Sequence, residues 1–146
     1  MAFVTALVRR GVMTDQFVRL LELQLDGENP ALVSQLAELY IRETTGRLEA
    51  IQSLVDAQDV DFSELDRLLH KFLGSSSTFG AKIMADTGAD LIVRCQGRDV
   101  GGCRTTLARI RQHFIHLKRL LGVYVELETN RSRDVPEIDE NFAPSI

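Results

Sequence analysis

The sequence predicts an all-α fold, an antiparallel four-helix bundle with additional short N-terminal helices. Three observations predict it. Apolar residues recur at three- and four-residue intervals through four long segments, the spacing of one buried helix face. The connections between those segments are short, which makes successive helices antiparallel neighbours. The composition favours helix over sheet, with three Pro, no Trp, and Leu, Ala, Arg and Glu frequent. No internal repeat and no strand-like alternation competes with this pattern. The 146 residues, 45% apolar and 26% charged, suffice for one core. Residues 1–128 are expected to form that domain. Residues 129–146 are expected to be a disordered tail, because Asn130 to Ile146 is polar, aperiodic and holds two of the three Pro.

Phe3 to Val12 suits a short amphipathic helix ended near Gly11. Thr14 then offers an N-cap hydroxyl, with Asp15 in the first turn, where the helix dipole favours negative charge. Phe17, Leu20, Leu21 and Leu25 follow at helical spacing, and Asp26-Gly27-Glu28-Asn29 breaks the run. Asn29-Pro30 reads as a capping side chain followed by Pro at the first helical position. Leu32, Leu36, Leu39, Tyr40, Leu48, Ile51 and Val55 then mark a helix of about 25 residues, with a local bend allowed at Thr44, Thr45 and Gly46. Asp61-x-x-Glu64 has the form of a capping box and opens the next helix. Gly80 marks its end or a bend. A helix from Lys82 to Gln96 stops at Gly97, a residue suited to a left-handed C-cap. The last begins around Asp99 and continues to about Glu128, its stripe being Cys103, Leu107, Ile110, Phe114, Leu117, Leu121 and Tyr124.

Bulk properties exclude several functions. The formal charge is −4, with 17 Lys and Arg offset by 21 acids and no long basic run, which argues against nucleic-acid binding. No apolar run reaches the roughly 18 residues of a membrane span. The first ten residues carry their charges after the apolar run, the reverse of a secretory leader, and neither end shows a lipidation motif. Cys95 and Cys103, seven residues between them, fit reduced core thiols better than a metal pair. His113-x-x-His116 lacks further ligands at metal spacing. Asp61, Glu64 and Asp66 fit capping and solvation rather than acid–base catalysis, and no phosphate-cradling Gly-rich loop suggests a kinase. A wide, purely apolar core leaves no interior cofactor site, so chemistry belongs on the surface. An acidic single bundle is expected to be a monomer.

The stretch Leu69 to Ala81 carries residues that packing does not need. At roughly 100° per residue, Leu65, Leu68, Leu69, Phe72, Ser76 and Phe79 share a core-facing arc about 120° wide. His70 lies about 140° from Leu65 and Gly74 about 180°, on the opposite face with Ser63, Arg67 and Ser77. A helix interior avoids Gly, which costs about 1 kcal/mol against Ala. One here, a turn beyond an exposed His, removes a side chain from beside the imidazole. Ser76 projects inward and is structural.

His70-x-x-x-Gly74-Ser75-Ser76, followed by Gly80-Ala81, resembles the signature of histidine-containing phosphotransfer (HPt) proteins, most closely the plant cytosolic members. The similarity extends from Asp15 to Glu128, including Asp61-Phe62 and the paired Cys95 and Cys103. It implies that His70 accepts a phosphoryl group from a receiver aspartate of a hybrid sensor histidine kinase and passes it to a response-regulator aspartate. The partner receiver domain supplies the divalent cation; the carrier has no cofactor or metal and is not itself an enzyme. The resemblance also implies cytoplasmic and nuclear residence and a role in cytokinin signalling. Imidazole suits the task, being substantially neutral near its usual pKa of about 6.5 and able to form a phosphoramidate. Gly74 would let the partner's backbone approach, Lys71 would steer it, and Arg67 and Ser77 would complete the partner-binding face.

Two positions depart from the family pattern. Leu73 stands where a Lys is expected, about 60° around the helix from His70. Ile92 stands where a second basic residue is expected, and Arg94, two positions on, is turned by about 200°. Arg67, about 60° from His70, is the residue available to replace part of the charge. The alternative is therefore a weakly competent or phosphorylation-independent adaptor that binds receiver domains. A third reading is an unrelated interaction module using the Arg67–Ser77 face without phosphate.

Overall fold

The computed structural model describes residues 2–130, and these form six helices: α1 (Ala2–Arg9), α2 (Asp15–Asp26), α3 (Leu32–Val55), α4 (Phe62–Phe79), α5 (Lys82–Gln96) and α6 (Val100–Asn130). Helix α3 packs against α4 and α6, and α5 packs against the same two, so α3 to α6 close into a four-helix bundle. Helix α2 lies on α3 and α4. The apolar stripes meet in the core: Leu48, Ile51, Leu65, Leu69, Phe72, Leu107, Ile110 and Leu121 are buried as expected, and Val33 and Leu91, outside the expected stripes, are buried with them. All seven residues of the α6 stripe are buried. Leu25 and Leu39, read as stripe residues, are instead exposed. The expected tail falls outside the described residues apart from Thr129 and Asn130, which belong to α6, so the helix runs two residues past the expected boundary.

The bundle meets the N-terminal helices at the α4–α5 turn. Gly80 ends α4 in the left-handed conformation (φ 89°), and its carbonyl accepts the Thr14 N–H at 2.8 Å. A Cβ at Gly80 would sit 2.6 Å from the Phe17 backbone nitrogen, so close approach demands glycine as firmly as the dihedral does. Thr14 caps α2 as expected, its hydroxyl accepting the Gln16 N–H at 3.1 Å. Phe17 stands edge-on to Phe79 (5.5 Å between centroids) and Tyr124 (5.6 Å), and Phe79 stacks on Tyr40 at 4.8 Å.

Several local expectations are corrected. The first helix covers Ala2–Arg9 rather than reaching Val12. Asn29 does not cap α3 directly. Its Oδ1 accepts the Ala31 N–H in a turn, and the helix begins at Leu32. The Val33 N–H is satisfied instead by buried Gln24 of α2, whose amide also donates to Glu128 of α6 at 2.7 Å. Helix α3 runs without interruption through Thr44, Thr45 and Gly46, Thr45 returning its hydroxyl to the Ile41 carbonyl. Only half the capping box forms: Asp61 Oδ1 accepts the Glu64 N–H at 3.0 Å, while the Glu64 carboxylate turns to Arg67. The left-handed residue after α5 is Arg98 (φ 53°), not Gly97 (φ −80°). Around it the Arg98 N–H bonds the Cys95 carbonyl and the Asp99 N–H the Arg94 carbonyl, each at 3.0 Å, and its guanidinium lies over the Phe62 ring, 5.4 Å from the centroid. Nor is the core purely apolar. Tyr40 and Ser76 share a buried hydroxyl–hydroxyl bond of 2.7 Å, and Thr44, Thr87 and Thr106 are also buried.

Candidate functional site

Helix α4 sets the geometry. Leu65, Leu69, Phe72, Ser76 and Phe79 fill its inward arc, which leaves Ser63, Arg67, His70, Gly74 and Ser77 on the exposed side. The His70 side chain is 55% exposed. Its Nδ1 lies 2.9 Å from the Asp66 carbonyl oxygen, one turn earlier. A carbonyl only accepts, so Nδ1 carries the hydrogen and the neutral ring presents its lone pair on Nε2. The backbone thereby fixes the tautomer of an accessible nucleophile. The Asp66 carboxylate lies close as well, Oδ2 being 3.4 Å from Nδ1. Sequence reasoning assigned Asp66 to capping and solvation, although its spacing of four from His70 was a usable signal.

Gly74 is the second feature. A Cβ built there meets nothing within 4 Å. Gly88, by contrast, faces Phe72 so closely that a Cβ would come within 2.8 Å of the ring. The fold therefore needs Gly88 and Gly80 but has no internal use for Gly74. Beside Gly74 opens an apolar groove of about 280 Å³ between α2, α3 and α4. Leu20, Leu36, Leu39, Tyr40 and Phe79 line it, with Glu43 at its rim and Gly74, Ser75 and Thr78 from α4. Periodicity marked Leu20, Leu36 and Leu39 as core; the structure makes them the wall of a recess one turn from the imidazole.

The basic residues differ from expectation. Arg67, expected to supply charge to the site, is held by Glu64 through both carboxylate oxygens. That bond, with the attraction of the charges, raises the Arg67 guanidinium above its usual pKa and lowers the Glu64 carboxyl below its own. Lys71 is exposed, and its charge reaches Glu64. Leu73 is half-buried against the core, and Ile92 is only 7% exposed within it. Both positions expected to carry basic residues thus serve packing. Arg94 points away, to Asp90 and Asp99.

The remaining candidates lie elsewhere. Cys95 and Cys103 are buried free thiols. Burial, helped by Cys103 and Asp66, pushes the Cys95 thiol up to about 11, and burial likewise raises Cys103, which makes both poor nucleophiles. His113 and His116 are half-buried on α6, and burial lowers His113 below the usual histidine value. Among the described residues no group of three or more His, Cys, Asp or Glu is placed to hold a metal ion, and no helix is long and apolar enough to cross a membrane.

Comparison with known proteins gives a consistent set of relatives. The sequence profile described as the Hpt domain matches residues 35–121. Pseudo histidine-containing phosphotransfer protein 2 of rice is 32% identical over 118 residues, covering 81% of this chain and 78% of its own. Histidine-containing phosphotransfer protein 1 of Arabidopsis thaliana is 29% identical over 126 residues, covering 86% and 81%. The crystal structure of a histidine-containing phosphotransfer protein from maize matches the fold with a TM-score of 0.84 at 28% identity, over 88% of this chain and 94% of that one.

Proposed function

The chain belongs to the Hpt domain family, and from that premise we propose that it is a phosphocarrier of a multistep His–Asp relay, taking a phosphoryl group on His70 from one receiver domain and yielding it to another. The observation that carries the reading is the exposed imidazole whose Nδ1–H is committed to the Asp66 carbonyl while Nε2 stays free. Nε2 attacks the phosphorus of a receiver aspartyl phosphate in line, the P–O bond breaks, and its electron pair leaves with the receiver carboxylate. The return step reverses these bonds on a second receiver. His70 supplies the nucleophile; the receiver supplies the acceptor carboxylate and its divalent cation. Gly74 gives the visiting backbone room, and the apolar groove beside it offers surface to bury on docking. Lys71 steers through its charge, and Ser77 lies on the same face as His70.

The receivers we propose are those of hybrid sensor kinases and response regulators, in cytokinin signalling, with the protein acting as a monomer in cytoplasm and nucleus. Incubation with a phosphorylated receiver tests the activity. Acid-labile, base-stable label on the wild type and none on a folded His70→Gln variant is expected; full labelling of that variant refutes the proposal.

A second reading has specific support. Leu73 and Ile92 are committed to packing and Arg67 to Glu64, so little fixed positive charge faces the phosphate. Two relatives, moreover, are named pseudo histidine-containing phosphotransfer proteins. An adaptor that occupies receivers without relaying efficiently would show saturable receiver binding and no label.

A further inference from the structure

Asp66 carries a carboxylate on a side chain that is 41% exposed, with its two oxygens in different surroundings. It is the fifth residue of α4, beyond the cap, where Asp61 already receives the Glu64 N–H. Its Oδ1 is shut off from solvent and has no hydrogen-bond partner among the described residues. Its Oδ2 lies 3.4 Å from His70 Nδ1. A buried, unpaired carboxylate oxygen is unfavourable, and folding alone gives no return for it. The imidazole is what the group faces.

We propose that the negative charge of the Asp66 carboxylate, 3.4 Å from Nδ1, favours retention of the Nδ1 proton on the phosphorylated imidazole and so keeps His70 an effective phosphoryl donor as pH rises. This deepens the carrier reading and rests on it. When Nε2 attacks phosphorus with Nδ1 already protonated, the product is a phosphorylated imidazolium whose positive charge is shared by both nitrogens. On onward transfer a receiver carboxylate oxygen attacks phosphorus, the P–Nε2 bond breaks and its electron pair returns to Nε2. With the proton still on Nδ1 the departing group is neutral imidazole. Without it the departing group is imidazolate, a far stronger base and a poorer leaving group. The Asp66 carbonyl accepts that proton's hydrogen bond, but the carboxylate adds a negative charge beside the cation, which favours the protonated form. Asp66 is thus a positioning residue acting through His70.

Other charges near α4 are turned to other partners. On α4 itself Glu64 pairs with Arg67, and Lys71 is exposed, its charge felt by Glu64. On α5 Lys82 pairs with Asp86, Asp90 faces Arg94 and Arg109, and Cys95 is the titratable group that feels Asp66. On α3 Glu43 pairs with Arg47, and on α2 Arg19 bonds Gln16.

Asp66→Asn tests the inference, because it removes the charge and keeps both the shape and the backbone carbonyl. Wild type and variant are loaded from a phosphorylated receiver, and onward transfer to one fresh receiver is timed between about pH 6 and about pH 9. Using the same receiver cancels its own pH dependence. The rates are expected to agree within about twofold at the acidic end. The alkaline fall of the variant should move down by at least about half a pH unit, leaving it about threefold slower in that limb. Asp66→Glu should recover part of the shift. Coincident profiles overturn the inference, and so does a uniform loss at every pH, which would mark a packing role. Absence of label on the wild type overturns the carrier reading itself, a result distinct from either.

Discussion

Gly74 sits mid-helix with open space where a side chain would be, so the physics of Gly74→Ala can be worked in two parts. In the free protein the new methyl meets nothing within 4 Å, and alanine restricts the unfolded chain that glycine leaves loose. The helix-propensity difference is about 1 kcal/mol in favour of alanine. For a domain of this size that corresponds to a rise of about 3–5 °C in Tm. In the docked complex the same methyl stands one turn from the imidazole, on the face a receiver must approach. Gly74→Gln carries a longer side chain into that space, with about 0.6 kcal/mol of the helix gain retained. Thermal unfolding followed by circular dichroism gives the first quantity, and the rate of labelling from a phosphorylated receiver gives the second. Alanine should raise Tm while slowing labelling, and glutamine should raise Tm less and block labelling. A fall in Tm would mean that the fold requires Gly74 after all. A raised Tm with undiminished labelling by the glutamine variant would mean that no partner comes close there.

Leu73→Lys should speed phosphoryl transfer by about fivefold, the equivalent of about 1 kcal/mol from an ammonium group that a docked partner desolvates. Its aliphatic stem can keep part of the leucine packing, and an unchanged rate in single-turnover transfer would refute the charge argument. Gly80→Ala should destabilise the protein by about 3 kcal/mol, combining the left-handed dihedral with the contact at the Phe17 backbone, as read from urea unfolding. His113 is held below the usual histidine pKa, so the unfolded chain binds its proton first as pH falls. Stability should therefore drop as pH falls through about 6.5, and His113→Gln should flatten that part of the profile.

The sequence was most readable where local chemistry alone decides. Thr14 caps α2 and Gly80 ends α4, where their capping and dihedral preferences put them. The face carrying His70 was equally legible, because helical spacing with five buried residues leaves one side outward. What escaped depends on partners distant in the chain. Gln24 takes the place of an expected Asn29 cap because it can also reach Glu128, 104 residues away. Arg98 rather than Gly97 takes the left-handed turn, with its guanidinium over the Phe62 ring. Leu36 and Leu39 have core periodicity whether a neighbouring helix covers them or leaves a groove. Asp66 and Arg67 are a different case. Their local partners, His70 and Glu64, were visible at four and three residues' spacing, but a wheel that sorts inward from outward does not rank contacts within the outward face.

The central claim concerns one atom, Nε2 of His70, and heteronuclear NMR of the phosphorylated, nitrogen-15-labelled protein tests it most directly. The account predicts a phosphorus–nitrogen coupling to Nε2 of His70, with Nδ1 still protonated and His113 and His116 unmodified. Phosphorus on Nδ1, or on either α6 histidine, would contradict it.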